Sequence, residues 1–126
     1  FAVSATGVLA HRAVMAERRQ LVWVDRAGTQ RGTVGPPDDG NNTSNPELAP
    51  DGRHVAVNRT VPGNIDVWLI EVGRGVASRF TFNAAIDGAP LWSPDGRRVV
   101  FQSNRNGNFD LFEKPASGPA TSSRCW

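Results

Sequence analysis

Four aspartates in this chain return in pairs. Asp51 and Asp95 each stand between a proline and a glycine, in Pro50-Asp51-Gly52 and Pro94-Asp95-Gly96, while Asp66 and Asp110 each precede an apolar and then an aromatic residue. Two carboxylates in one site can divide acid and base work, so these pairs are the first candidates for catalysis. Their spacing argues for another role. The members of each pair lie 44 residues apart, and a residue type that returns at one position of a repeated unit serves that unit's architecture. Asp51 and Asp95 are therefore expected to accept turn hydrogen bonds, and Asp66 and Asp110 to bond locally where strands begin.

The remaining reactive side chains form no pattern. His11 and His54 have no second ligand at metal-binding spacing, and Ser4, Ser93 and Ser103 lack the strand-turn-helix context of a nucleophile elbow. Cys125, the single cysteine, stands next to the C-terminus, where it can form no internal disulfide and has no histidine near it in sequence. No catalytic, metal or cofactor site is read from these residues.

The elements that position the aspartates come from a repeat. Pro46–Trp68 (PELAPDGRHVAVNRTVPGNIDVW) and Pro90–Phe112 (PLWSPDGRRVVFQSNRNGNFDLF) align without a gap and agree at nine of 23 positions. Four mismatches beyond the turn exchange one apolar residue for another: Ala56/Val100, Val57/Phe101, Val67/Leu111 and Trp68/Phe112. A worn third copy lies at the N-terminus, where Gly7 precedes Trp23 by 16 residues, as Gly52 precedes Trp68 and Gly96 precedes Phe112. A period in the forties, filled with short strand patterns and turn residues, is the mark of propeller blades or similar stacked units. The expected fold is all-β: three consecutive four-stranded antiparallel blades, a partial propeller in a single domain 1–126. The blades are expected at about 1–36, 46–82 and 90–126.

In chain order, strands are expected at 1–4 and 8–12, then at 20–25 and 30–34, with Glu17-Arg18-Arg19 as a charged hairpin loop. Gly35–Asn45 (GPPDDGNNTSN) is a connector, dense in Pro, Gly, Asp and Asn. Blade 2 follows at 46–49, 54–60, 65–71 and 76–81, and blade 3 at 90–93, 98–103 and 109–113. In each Pro-Asp-Gly turn, proline presets φ, aspartate bonds the backbone, and Gly52 or Gly96 takes the positive φ of a hairpin exit. Pro62-Gly63-Asn64 serves similarly. A fourth strand for blade 3 is hard to find, because the tail after Gly118 is poor in β-formers. Asn41, Asn42 and Asn58 fit the glycosylation triplet, which is common by chance. Trp23, Trp68, Trp92, Phe101 and Phe112 are expected to pack between blades rather than to cage a ligand.

Composition adds bounds. With 39% hydrophobic residues, 13 Gly and 9 Pro, the chain suits many short elements joined by tight turns. The net charge is +2, with arginines and aspartates spread along the turns instead of clustered with aromatics, so no nucleic-acid face is expected. No apolar run could span a bilayer, no membrane insertion is expected, and no signal-peptide pattern is seen.

The third unit carries a family resemblance. Trp92–Gly96, Val100-Phe101, Ser103-Asn104-Arg105, Gly107 and Asp110–Phe112 resemble the TolB-type β-propeller repeat, a Pro-Asp variant of the WD-like repeat. LVWVDRAG followed by NPELAPDGRHVAVNR is similar to the propeller regions of bacterial serine/threonine kinase-associated proteins, although no kinase motif is present. The resemblance implies a non-catalytic binding or protein-interaction module, a protein partner such as an envelope protein, and a periplasmic or other extracytoplasmic location. Two other readings stand beside it. One is the propeller portion of a prolyl-oligopeptidase-like hydrolase, the other a truncated fragment without independent function.

Blade number suggests assembly. Propellers close with four to eight blades, and three would leave apolar faces open: Val22 and Val24, or Trp23, on the first blade, and Val99 and Phe101, or Val100, on the third. A homodimer closing a six-bladed ring is the expected homo-oligomer, the tail of either chain supplying the missing strand.

Overall fold

The computed structural model describes residues 2–3, 9–15, 18–38, 42–61, 63–117 and 123–125, with side chains from residue 18 onward. Ser4, Gly7, Glu17, Asn41 and Pro62, and the side chain of His11, lie outside these bounds.

Every element among the described residues is a strand, and the strands form three four-stranded antiparallel sheets in simple sequence order. Blade 1 contains β1 (Ala2–Val3), β2 (Leu9–Met15), β3 (Arg18–Val24) and β4 (Gln30–Val34). Blade 2 contains β5 (Ser44–Leu48), β6 (His54–Val61), β7 (Asn64–Glu71) and β8 (Ala77–Arg79), and blade 3 contains β9 (Asp87–Trp92), β10 (Arg98–Ser103), β11 (Asp110–Pro115) and β12 (Ser123–Arg124). The all-β expectation of three stacked meanders therefore holds.

The hairpin turns follow from their residues. Gly52 N–H donates to Ala49 O and Gly96 N–H to Ser93 O, both at 2.9 Å, and the two glycines adopt φ of 73° and 70°. Asp51 accepts the Arg53 amide at 2.9 Å and Asp95 the Arg97 amide at 3.0 Å, which closes each turn locally.

Side-chain alternation assigns the two faces of blade 2. Val55, Val57 and Ile70 join Leu21 and Val34 of blade 1 in one buried cluster, with Trp23, Leu48 and Trp68 packed against it. Ala56, Val67, Leu69 and Phe80 join Val99, Phe101 and Phe112 of blade 3 in a second cluster, flanked by Trp92. A sheet covered on both faces has no polar side to show. That is why residues 55–57 of β6 and 67–70 of β7 are unbroken apolar runs.

Four expectations are corrected or narrowed. Arg18 and Arg19 belong to β3 and pair with Met15 and Val14, because Arg19 O accepts the Asp38 amide and so extends the ladder beyond the supposed loop. The first strands of blades 2 and 3 begin at Ser44 and Asp87, before Pro46 and Pro90, since a bulge in each strand accommodates the proline. The fourth strand of blade 3, expected from the tail of either chain, is narrowed to β12 of this chain, with Arg124 opposite Phe112. Of the alternatives for the exposed faces, Val100 does lie on the far face of blade 3, and the others do not stand open. Val22 and Val24 are buried, and Val99 and Phe101 are sealed in the seam with blade 2. The apolar side chains on the far face of blade 3 are Leu91 and Leu111, 57% and 41% exposed, beside the half-buried Val100.

Candidate functional site

None of the four recurring carboxylates is free for acid–base work. Asp66, almost fully buried, forms an ion pair with Arg79 at 2.8 Å and accepts the Thr81 hydroxyl at 3.2 Å. Asp110 pairs with Arg124 at 2.9 Å. The carboxylate stands near the start of the third strand, as third residue of β7 and first of β11, and its arginine ends the fourth, so the pair clamps the blade's outer edge. Blade 1 has Leu21 at the position the repeat sets beside Asp66, and it faces Val34 across the ladder. An apolar pair does the clamping there. Asp51 and Asp95 are exposed and engaged in their own turns, and the Ser93 hydroxyl donates to Asp95 at 2.6 Å. That bond first, and the Arg97 amide second, hold the Asp95 carboxyl below its ordinary value of 3.8.

The aromatic residues sit in the seams. Arg59 stacks on Trp68 at 5.1 Å, and the Trp68 Nε1 is buried without a hydrogen-bond partner among the described residues. Phe101 and Phe112 lie 6.3 Å apart, with Arg105 at 4.3 Å from the Phe112 centroid. Arg105 also reaches the fully buried Asp87 at 3.1 Å. Lys114 extends from blade 3 into the same seam and donates to Phe80 O, and burial lowers the pKa of its amine. His54 lies 6.4 Å from Trp92, and no cluster of three potential metal ligands occurs among the described residues.

The concave feature of most interest lies where the first strands approach one another. The packing of β5 against β1 and β9 makes these strands the axial wall of the stack. Between β5 and β9 runs an open groove of ≈ 410 Å³, lined by Asn45, Pro46, Glu47, Ala89, Pro90 and Leu91. Both walls carry the same bulge: Asn45 and Ala89, one repeat apart, adopt φ of 49° and 50°. The Asn58 side chain holds the Ala89 amide at 3.0 Å, and Trp92 Nε1 holds Glu47 O at 3.0 Å. The groove is thus rigidly framed. Partial burial raises the pKa of the Glu47 carboxyl.

Sequence reading missed Glu47, Asp87, Arg79, Lys114 and Arg124, and gave Arg105 as part of the repeat motif without its partner. One signal was available, since Ser78-Arg79 returns as Ser123-Arg124 and marks the outer strand of both blades.

Known proteins agree with this architecture. The model of the TolB beta propeller domain matches residues 7–126. An uncharacterised protein of Agrobacterium fabrum is 34% identical over 70 residues, covering 56% of this chain and 23% of its own length. The Tol-Pal system protein TolB of Francisella tularensis is 28% identical over 60 residues, covering 48% of this chain and 14% of its own. Among solved structures, TolB from Acinetobacter baumannii superposes with a TM-score of 0.82 at 22% identity, over 98% of this chain and 30% of its own. A prolyl endopeptidase shares the fold at 16% identity, with a TM-score of 0.67 over 94% of this chain and 20% of its own. The chain therefore spans under a third of each of these proteins. With the family match over nearly its whole length, it belongs to the TolB beta propeller domain family.

Proposed function

We propose that this chain is a non-catalytic protein-interaction module, the part of a TolB-like propeller that presents its axial groove and loops to a partner. One observation carries the reading. The side chains that recur with the blade, and that would be the natural catalytic candidates, are occupied by arginines and turn amides. Kinship with a Tol-Pal system protein suggests a partner of that system and a location outside the cytoplasm. Calorimetric titration of the purified chain with Tol and Pal proteins tests this, and binding to at least one is expected. The prolyl-endopeptidase likeness supports the alternative of a hydrolase propeller. Turnover of a prolyl peptide substrate by the purified chain, lost in Asp95→Ala with the fold intact, would overturn the non-catalytic reading.

The exposed Leu91 and Leu111 also support a homodimer that raises the blade number to six. With Val22 and Val24 already covered, the apolar share of each joint would come from blade 3. Light scattering at micromolar concentration should give twice the chain mass. A mass of one chain that persists as concentration rises would exclude the dimer.

A further inference from the structure

Asn106-Gly107, in the hairpin between β10 and β11, is the sole place in the chain where an asparagine precedes a glycine. Both residues are exposed, and a Cβ at Gly107 would meet no atom within 4 Å beyond its chain neighbours. Glycine sets no side chain beside its own amide nitrogen, so that nitrogen can approach the carboxamide of the preceding residue. The other asparagines are held back by their bonds or by their neighbours. Asn58, Asn64, Asn83 and Asn104 commit their side chains to the Ala89 amide, Asn83 O, the Ala85 amide and the Ile86 amide. Asn45 precedes a proline, which has no N–H, while Asn42 and Asn108 precede the larger Thr43 and Phe109. The Asn106 side chain has no hydrogen-bond partner among the described residues. The Gly107 amide donates to Asn104 O at 2.9 Å, and opening this turn frees the nitrogen.

We propose that Asn106 is a site of spontaneous modification, converted through a succinimide into aspartate and isoaspartate, and that the isoaspartate loosens the hold of Arg105 on blade 3. The Gly107 nitrogen gives its proton to hydroxide and attacks Cγ of Asn106. The N–Cγ bond forms and the Cγ–Nδ2 bond breaks; Nδ2 takes a proton from water and leaves as ammonia, which returns the hydroxide. Water then opens the ring at either carbonyl. Cleavage of the new N–Cγ bond gives aspartate, and cleavage of the old peptide bond gives isoaspartate, with the main chain running through Cγ.

The position sets the consequence. Arg105, the preceding residue, reaches the buried Asp87 at 3.1 Å, lies 4.3 Å from the Phe112 centroid, and donates through its amide and Nε to Ser103 Oγ. An isoaspartate adds a methylene to the main chain of this hairpin and a carboxylate beside Arg105. The guanidinium then has an exposed acceptor that competes with its buried one. Blade 2 lacks the site, because Pro62 stands at the repeat position of Asn106, and Asn64 follows Gly63 instead of preceding it.

The full chain is held at mildly alkaline pH and body temperature, and peptide mapping with electron-transfer fragmentation locates aspartate and isoaspartate. Both products should accumulate at residue 106 faster than at any other asparagine, and faster still as pH is raised, since hydroxide frees the nucleophile. Asn106→Gln should melt like the parent and lose the products, because its longer side chain would have to close a six-membered ring. No product at 106, faster conversion at another asparagine, or a rate indifferent to pH would overturn the site. The isoaspartyl form, separated by ion exchange, should melt below the parent, whereas Asn106→Asp, which adds the charge without rerouting the chain, should melt closer to it. A parent-like midpoint for the isoaspartyl form would overturn the loosening of Arg105.

Discussion

Asp66 and Asp110 occupy one position of the repeat and bind arginines at one position of the outer strand, yet their surroundings differ. The Asp66 side chain is 2% exposed and that of Asp110 28%; for Arg79 and Arg124 the values are 38% and 53%. The difference arises outside the pairing itself. Thr81, in the connector from blade 2 to blade 3, bonds to Asp66 and also accepts the Val67 amide at 3.0 Å, so the connector roofs the pair. No hydroxyl bond of this kind reaches Asp110 among the described residues. The repeat sets which groups meet, and the adjoining unit sets how strongly they matter.

A third pair lies at the buried extreme and should give the largest effect. Asp87 is fully buried and the Arg105 side chain is 16% exposed. Arg105→Ala strands that carboxylate without its guanidinium and uncovers Phe112, and a loss of about 3–5 kcal/mol is expected. Chemical denaturation measures it. Asp87→Asn in the same background should recover part of the loss, because the stranded charge is then gone.

Next comes the comparison itself. Arg79→Ala leaves the buried Asp66 charge with only hydroxyl and amide donors and should cost about 2–3 kcal/mol. Arg124→Ala removes a half-exposed partner and should cost under about 1 kcal/mol. Equal costs for the two variants would show that the connector roof contributes nothing.

The same contrast explains what the sequence could reveal. The repeat, the turns and the seams were legible because Pro-Asp-Gly and the alternating apolar strands are local codes whose partners lie a few residues away. The apolar faces of blade 2 were legible too, since Val55, Ala56 and Val57 leave no polar side. The pairing of Arg105 was hidden because its partner, Asp87, sits before the strand in which a proline seemed to mark the start. Glu47 was hidden for a related reason. Nothing in Pro46-Glu47-Leu48 says that one residue of the strand faces an axial groove; the bulges at Asn45 and Ala89 decide it, and left-handed non-glycine residues before proline are not predictable from composition.

Blades 2 and 3 should behave alike where their local codes agree. Gly52 and Gly96 share a positive φ, and valine at either forces a β-branched side chain into the left-handed region. Each substitution should cost about 1–3 kcal/mol, readable as matched shifts in thermal midpoint. A large effect at one site only would show that the turns, despite their common residues, carry different strain.

The smallest expected effect separates the two turns. Blade 3 has Ser93 where blade 2 has Ala49, and the Ser93 hydroxyl both donates to Asp95 and accepts the Arg98 amide at 3.0 Å. Hydrogen bonds to an ionised carboxylate stabilise the charged form, so Asp95 titrates below 3.8. The sign follows from proton counting: between the folded value and 3.8 the unfolded chain binds more protons, so the stabilisation is complete above 3.8 and is lost as pH falls through the folded value. Asp95 lies in solvent, which screens the effect on stability, and a carboxyl ¹³C titration is the sensitive measurement. Ser93→Ala should move the Asp95 midpoint up toward 3.8 while leaving the turn geometry intact. If the midpoint does not move, the Arg97 amide rather than the serine holds the charge, and the blade 3 turn differs from its blade 2 copy in residue type alone.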